Sequence, residues 1–72
     1  MASLKVQFGK RLQVLRREAG VTQEQLANET GLTVESISNM ERGIFGPKFD
    51  NLEKIAKTLE VPVKALFEFE SS

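Results

Sequence analysis

An all-α fold of five helices, the middle two short and held at a fixed angle, is what this 72-residue sequence predicts. Three observations carry the prediction. Apolar residues recur at helical spacing through most of the chain, side chains suited to capping stand where helices should begin, and a glycine stands where the central pair must turn.

The first helix is expected over about Leu4 to Ala19, because Leu4, Phe8, Leu12 and Leu15 share one face and Gly20 is a stop signal. Its polar face carries the basic residues. The second begins after Thr22, whose hydroxyl caps the first free amides while Gln25, three residues on, reaches back to complete a capping box. Leu26 supplies the buried ridge of this helix, and the methyl group of Ala27 lets a neighbour approach closely. Gly31 ends it, since a glycine past the last turn takes the left-handed conformation that satisfies the terminal carbonyls without a Cβ clash. Leu32 plugs the corner, Thr33 caps the next helix, and Ile37 and Met40 follow at helical spacing to pack back onto Ala27 and Leu26. Val34, Glu35, Ser38 and Asn39 lie on the opposite face and have no core to enter. Residues from about 22 to 42 thus have the layout of a DNA-binding helix-turn-helix.

After this pair, Gly43 to Pro47 reads as a loop, because two glycines and a proline cannot continue a helix. Ile44 and Phe45 either tuck over the core or lie exposed near the DNA backbone, and the burial preference of large apolar groups favours the tuck. A fourth helix ends near Leu59, with Phe49, Leu52, Ile55, Ala56 and Leu59 as its buried stripe. Its start is open, Asp50 and Glu53 forming a capping-box pattern of their own. Pro62 suits the first turn of a short fifth helix, with Val63, Leu66 and Phe67 on its inner side.

Composition bounds the function classes. A chain of this length is expected to form one small domain over residues 1–72, with little stability to spare and no room for a separate sensing module. It contains neither cysteine nor histidine, so the disulfides, the usual zinc sites and the usual nucleophile–base pairs of enzymes are missing; no metal, no cofactor and no catalysis are expected. No apolar run is long enough to span a bilayer and MASLKVQF lacks a signal peptide's apolar stretch, which predicts a cytoplasmic protein without membrane contact. Ten basic and ten acidic residues leave zero formal net charge. The distribution is uneven. Lys5, Lys10, Arg11, Arg16 and Arg17 precede the first acidic residue, Glu18, whereas Glu60, Glu68 and Glu70 weight the tail. A neutral whole with a basic face binds DNA nonspecifically only weakly and depends more on dimeric docking.

The order and spacing of these segments resemble the phage-repressor and Cro-like helix-turn-helix proteins, the XRE family, over nearly the whole chain. FGKRLQVLRREAGVTQEQLA is similar to that family's first two helices, TGLTVESISNMERG to its recognition helix, and FDNLEKIAKTLEVPVKALF to its last two. Small stand-alone members include restriction-modification controller proteins and compact repressors. The resemblance implies a salt bridge from Arg16 to Glu41, a fourth helix starting at Lys48 where the family often has serine, and a phosphate contact from Gln23. Arg42 meets the helix dipole, a phosphate, or both.

For base readout, a recognition helix enters the major groove by its N-terminal part, which nominates Val34, Glu35, Ser38 and Asn39. Asn39 can bond adenine bidentately and Val34 can touch a thymine methyl; Glu35 either accepts from cytosine, bridges to an arginine, or favours the helix N-terminus. Thr33, Ser36, Lys48 and Asn51 are candidates for gripping the backbone, contacts that set register rather than sequence. In the tail, Val61, Val63, Leu66, Phe67 and Phe69 are too many large apolar groups for one short helix to bury, and predict a symmetric homodimer; a monomer with its tail folded over the core is the alternative. Two-fold symmetry sets the recognition helices about 34 Å apart and requires a near-palindromic operator. The expected function is sequence-specific transcriptional regulation on double-stranded DNA, with RNA polymerase or another regulator as a further candidate partner. The rival is a protein-interaction module, an antitoxin or coregulator, on the same scaffold.

Overall fold

A computed structural model describes residues 3–69. Four α-helices appear in it: α1 (Leu4–Glu18), α2 (Gln23–Thr30), α3 (Val34–Glu41) and α4 (Phe49–Leu59), followed by a short 3-10 helix, Val63–Phe67. The local signals explain most boundaries. Ser3 caps α1, Thr22 and Gln25 form the reciprocal capping box of α2, and Thr33 accepts from the Ser36 amide to start α3. Gly31 adopts φ +74°, the left-handed conformation that closes α2 and sends the chain into the turn.

The last element departs from the expected fifth α-helix. It is a 3-10 helix whose amides reach back only three residues, Ala65 to the Pro62 carbonyl at 2.9 Å and Glu68 to that of Ala65 at 3.3 Å. Five residues are too few to gain from α-helical cooperativity, and Pro62 stands just outside the element as its N-cap rather than within its first turn. α4 starts after Lys48, which makes no side-chain capping bond, so the Asp50–Glu53 pattern does not define its beginning.

One core joins these elements. Phe8, Leu12 and Leu15 from α1, Leu26 and Ala27 from α2, Ile37 and Met40 from α3, and Leu52, Ile55, Ala56 and Leu59 from α4 are buried together, closed from below by Ala65 and Leu66. α3 packs on both α1 and α2, α2 also on α4, and the 3-10 helix on α1 and α4. At the crossing of α1 and α3, Gly9 is buried, and a Cβ there would collide with the Met40 carbonyl oxygen and come to 2.8 Å of the Glu41 oxygen. The missing side chain is what allows the two backbones to meet.

Several expected core residues lie outside it. Leu4 is 61% exposed and Phe49 84%, because each occupies the first turn of its helix, where the stripe has run past the packed layer. Ile44 and Phe45 do not tuck over the core but stand 49% and 41% exposed. Val63 and Phe67 sit at the rim of the core, whereas Leu66 is wholly enclosed by its own chain.

Candidate nucleic-acid interface

The turn after α2 is braced twice, by the Leu32 amide donating to the Ala27 carbonyl at 3.0 Å and by the half-buried Leu32 side chain packed against the core. With Ile37 and Met40 essentially inaccessible, only one face of α3 can point outward. Val34 and Glu35 on its first turn are exposed, and Ser38 and Asn39 are half-buried beside them. The four side chains proposed from sequence to meet bases are thus brought onto one outward face. None of the four makes a side-chain hydrogen bond to another described residue, and Glu35, in the first turn of α3, complements the helix dipole.

Behind it lies a buried polar cluster. Arg16 donates through Nε to Glu41 Oε2 at 2.5 Å, through Nη2 to Oε1 at 3.1 Å, and through Nη1 to the Val21 carbonyl at 2.8 Å. The pair joins α1 to the end of α3, with the Glu41 side chain only 1% exposed. Gln23 adds a third donor, Nε2 to Glu41 Oε1 at 3.0 Å. Its amide nitrogen is therefore turned inward. For a phosphate it offers its second N–H and the unpaired backbone amide of the helix start.

The other backbone candidates divide by what their donors already do. The Thr33 hydroxyl is committed, giving its proton to Ser36 Oγ at 3.0 Å while accepting from the Ser36 amide; Ser36 keeps the free proton. Arg42, at the C-cap of α3, and Lys48, at the start of α4, are exposed. A cation at a helix N-terminus opposes the macrodipole. Lys48 therefore gains nothing from the dipole of α4 and makes no side-chain capping bond to it. Asn51 is half-buried in the first turn of α4.

Of the five early basic residues, two are used by the fold: Arg16 in the buried pair, and Arg11, whose Nε donates to the Ala65 carbonyl at 2.9 Å. Lys5, Lys10 and Arg17 remain exposed. Sequence reasoning did not single out Arg17, yet it lines one open cleft together with Gln13, Gln23, Glu24 and Val34, at the junction of α1, α2 and α3. The signal was the Arg16–Arg17 pair itself, since adjacent helical residues point about 100° apart and only one can enter the core.

Residues 12–66 match the helix-turn-helix family profile. The chain belongs to that family. It is 37% identical over 68 residues to the control protein C.BamHI of Bacillus amyloliquefaciens, an alignment covering 93% of this chain and 84% of that protein. The crystal structure of the restriction-modification controller protein C.AhdI from Aeromonas hydrophila superposes with a TM-score of 0.83 at 36% identity, covering 88% of this chain and 96% of the other. The P22 c2 repressor, in complex with a synthetic operator, superposes with a TM-score of 0.79 at 25% identity over 88% and 96% of the two chains. The chain covers only 44% and 40% of two longer repressors that it also matches. The helix-turn-helix domain is therefore a DNA-binding one of the repressor and controller kind, and its relatives are transcriptional regulators rather than enzymes. Among the described residues, no helix is long and apolar enough to cross a membrane.

Proposed function

We propose that this protein is a sequence-specific transcriptional regulator that binds a near-palindromic operator as a homodimer, in the manner of a compact controller or repressor. The observation that carries the reading is the outward face of α3, where Val34, Glu35, Ser38 and Asn39 stand together without side-chain hydrogen bonds to other described residues. In this reading Asn39 bonds adenine, Val34 meets a thymine methyl, and Glu35 accepts from cytosine. Gln23, Ser36, Arg42, Lys48, Asn51 and Arg17 hold the backbone.

Support for a dimer comes from an apolar face different from the one the tail alone suggests. Leu66 is in the core, and Val61 and Phe69 are half-buried against it, Phe69 edge-on to Phe67 at 6.2 Å. The uncovered groups are Val63, Phe67, Leu4 and above all Phe49, which flanks an apolar groove of about 450 Å³ also lined by Phe8 and Leu52. A chain with zero net charge gains little ionic affinity from a single half-site, so pairing two half-sites supplies what one cannot.

The test combines selection of bound sequences from random duplex DNA with sedimentation of the wild type and Phe49→Asp. A two-fold symmetric consensus is expected. Losing a phenylalanine from each side of a symmetric interface removes about 3–6 kcal/mol, at least a 100-fold weaker dimer, while the exposed position leaves the fold intact. An asymmetric consensus, or a wild type that sediments as a monomer, refutes the dimeric reading; a Phe49→Asp variant that still dimerises refutes only the interface placed at Phe49. Absence of any consensus, with weak and steeply salt-dependent binding, favours the protein-interaction module instead.

A further inference from the structure

Of the four side chains on the outward face of α3, Val34 alone is apolar. It is 41% exposed and lies outside the core, and it borders the open cleft that Gln13, Arg17, Gln23 and Glu24, all polar or charged, also line. A β-branched residue in a helix is held largely to one rotamer, so its two methyl groups form a fixed apolar knob rather than a mobile chain. The knob has neither a donor nor an acceptor. Its place in the first turn of α3 puts it at the end of the helix that enters the major groove first.

We infer that operator binding responds to methylation of cytosine at C5, through Val34. The inference rests on the proposed use of α3 as the recognition helix and concerns what Val34 tells apart there. The C5-methyl group is the apolar feature that base edges present in the major groove: thymine carries it beside an O4 acceptor, and 5-methylcytosine carries it beside an N4 amino donor. A side chain without hydrogen-bonding groups does not separate these two. It separates both from unmethylated cytosine, where the methyl contact is missing and a polar amino group faces hydrocarbon. Glu35, Ser38 and Asn39 read hydrogen-bonding groups, which C5-methylation leaves in place, so the response to the modification falls to Val34. The ligand is therefore a half-site with thymine or 5-methylcytosine at the pair facing Val34, and methylation of a cytosine there raises affinity. Burying one methyl group is worth about 4-fold in affinity per half-site, and about 15-fold for an operator with two.

Two series of duplexes built on the selected operator change the methyl group and nothing else in a base pair. In one, each thymine is compared with deoxyuracil opposite adenine; in the other, cytosine is compared with 5-methylcytosine opposite guanine at each pyrimidine position. One position in each half-site is expected at which the wild type loses about 4-fold in the first series and gains about 4-fold in the second. Val34→Asn, similar in size but polar, should bring both ratios to about 1 without lowering the melting temperature, whereas Val34→Ile, which keeps the apolar surface, should preserve them. Methyl dependence that survives Val34→Asn belongs to groove shape or to another residue and overturns the inference. So does a wild type indifferent to the cytosine series at every position, or one that 5-methylcytosine only weakens. Asn39→Ala is measured in parallel. If it loses preference for the operator while the methyl exchanges leave the wild type unaffected, the methyl inference alone fails; if Asn39→Ala is also without effect, the assignment of α3 fails with it.

Discussion

Replacing Arg16 by methionine keeps the aliphatic stem and removes the guanidinium, leaving Glu41 with a charged side chain 1% exposed and only Gln23 as a donor. Two of the three hydrogen bonds to that carboxylate disappear, those at 2.5 and 3.1 Å. Removing one partner of a buried ion pair costs about 3–5 kcal/mol, because the remaining charge stays desolvated. At about 0.05–0.15 kcal/mol per residue a domain of this size has roughly 4–11 kcal/mol in total, so about half of its stability is at stake. The expected fall in Tm is about 15–30 °C. Thermal unfolding followed by circular dichroism measures that fall and urea unfolding the loss in free energy, and the informative comparison is the double variant Arg16→Met with Glu41→Leu. Removing both charges eliminates the orphaned carboxylate, and the half-buried Val21 and Gln23 can turn to water. The double variant should therefore recover to within about 2 kcal/mol of the wild type. A single variant losing under about 1 kcal/mol, or a double variant no more stable than the single, refutes the reasoning.

Gly9→Ala gains about 1 kcal/mol of helix propensity, but its methyl would strike two backbone carbonyls that cannot rotate away. Overpacking of this kind costs up to about 3 kcal/mol, so a net loss of about 2 kcal/mol in chemical denaturation is expected, and a stabilised variant would show that α1 and α3 are not so close. Ala27→Leu should likewise lose about 1–3 kcal/mol and weaken DNA binding by separating α2 from its neighbours; unchanged stability and affinity would count against that docking. Arg17→Gln should leave stability within about 0.5 kcal/mol and lower the salt slope of DNA binding by about 1. An unchanged slope would remove Arg17 from the proposed interface.

Local chemistry made much of this molecule legible in its sequence. Thr22 with Gln25, Gly31 and Thr33 act within three or four residues of themselves, so the ends of α2 and the start of α3 followed from residue type and spacing alone. The repeats of Phe8, Leu12 and Leu15, and of Ile37 and Met40, likewise named their buried faces, because a helix's period converts sequence directly into geometry. Tertiary structure decided where that conversion stops. Leu4 and Phe49 continue their stripes in phase but extend beyond the neighbouring elements, so periodicity alone put them in a core that does not reach them. Leu66 and Phe67 are adjacent and equally apolar, yet one is enclosed and the other lies at the rim, according to how the 3-10 helix meets α1 and α4. Arg16 and Arg17 are chemically identical in sequence. Only the packing of α1 against α3 buries the first with Glu41 and leaves the second beside Gln23 and Val34, because the buried pair requires a partner 25 residues away that no local rule specifies.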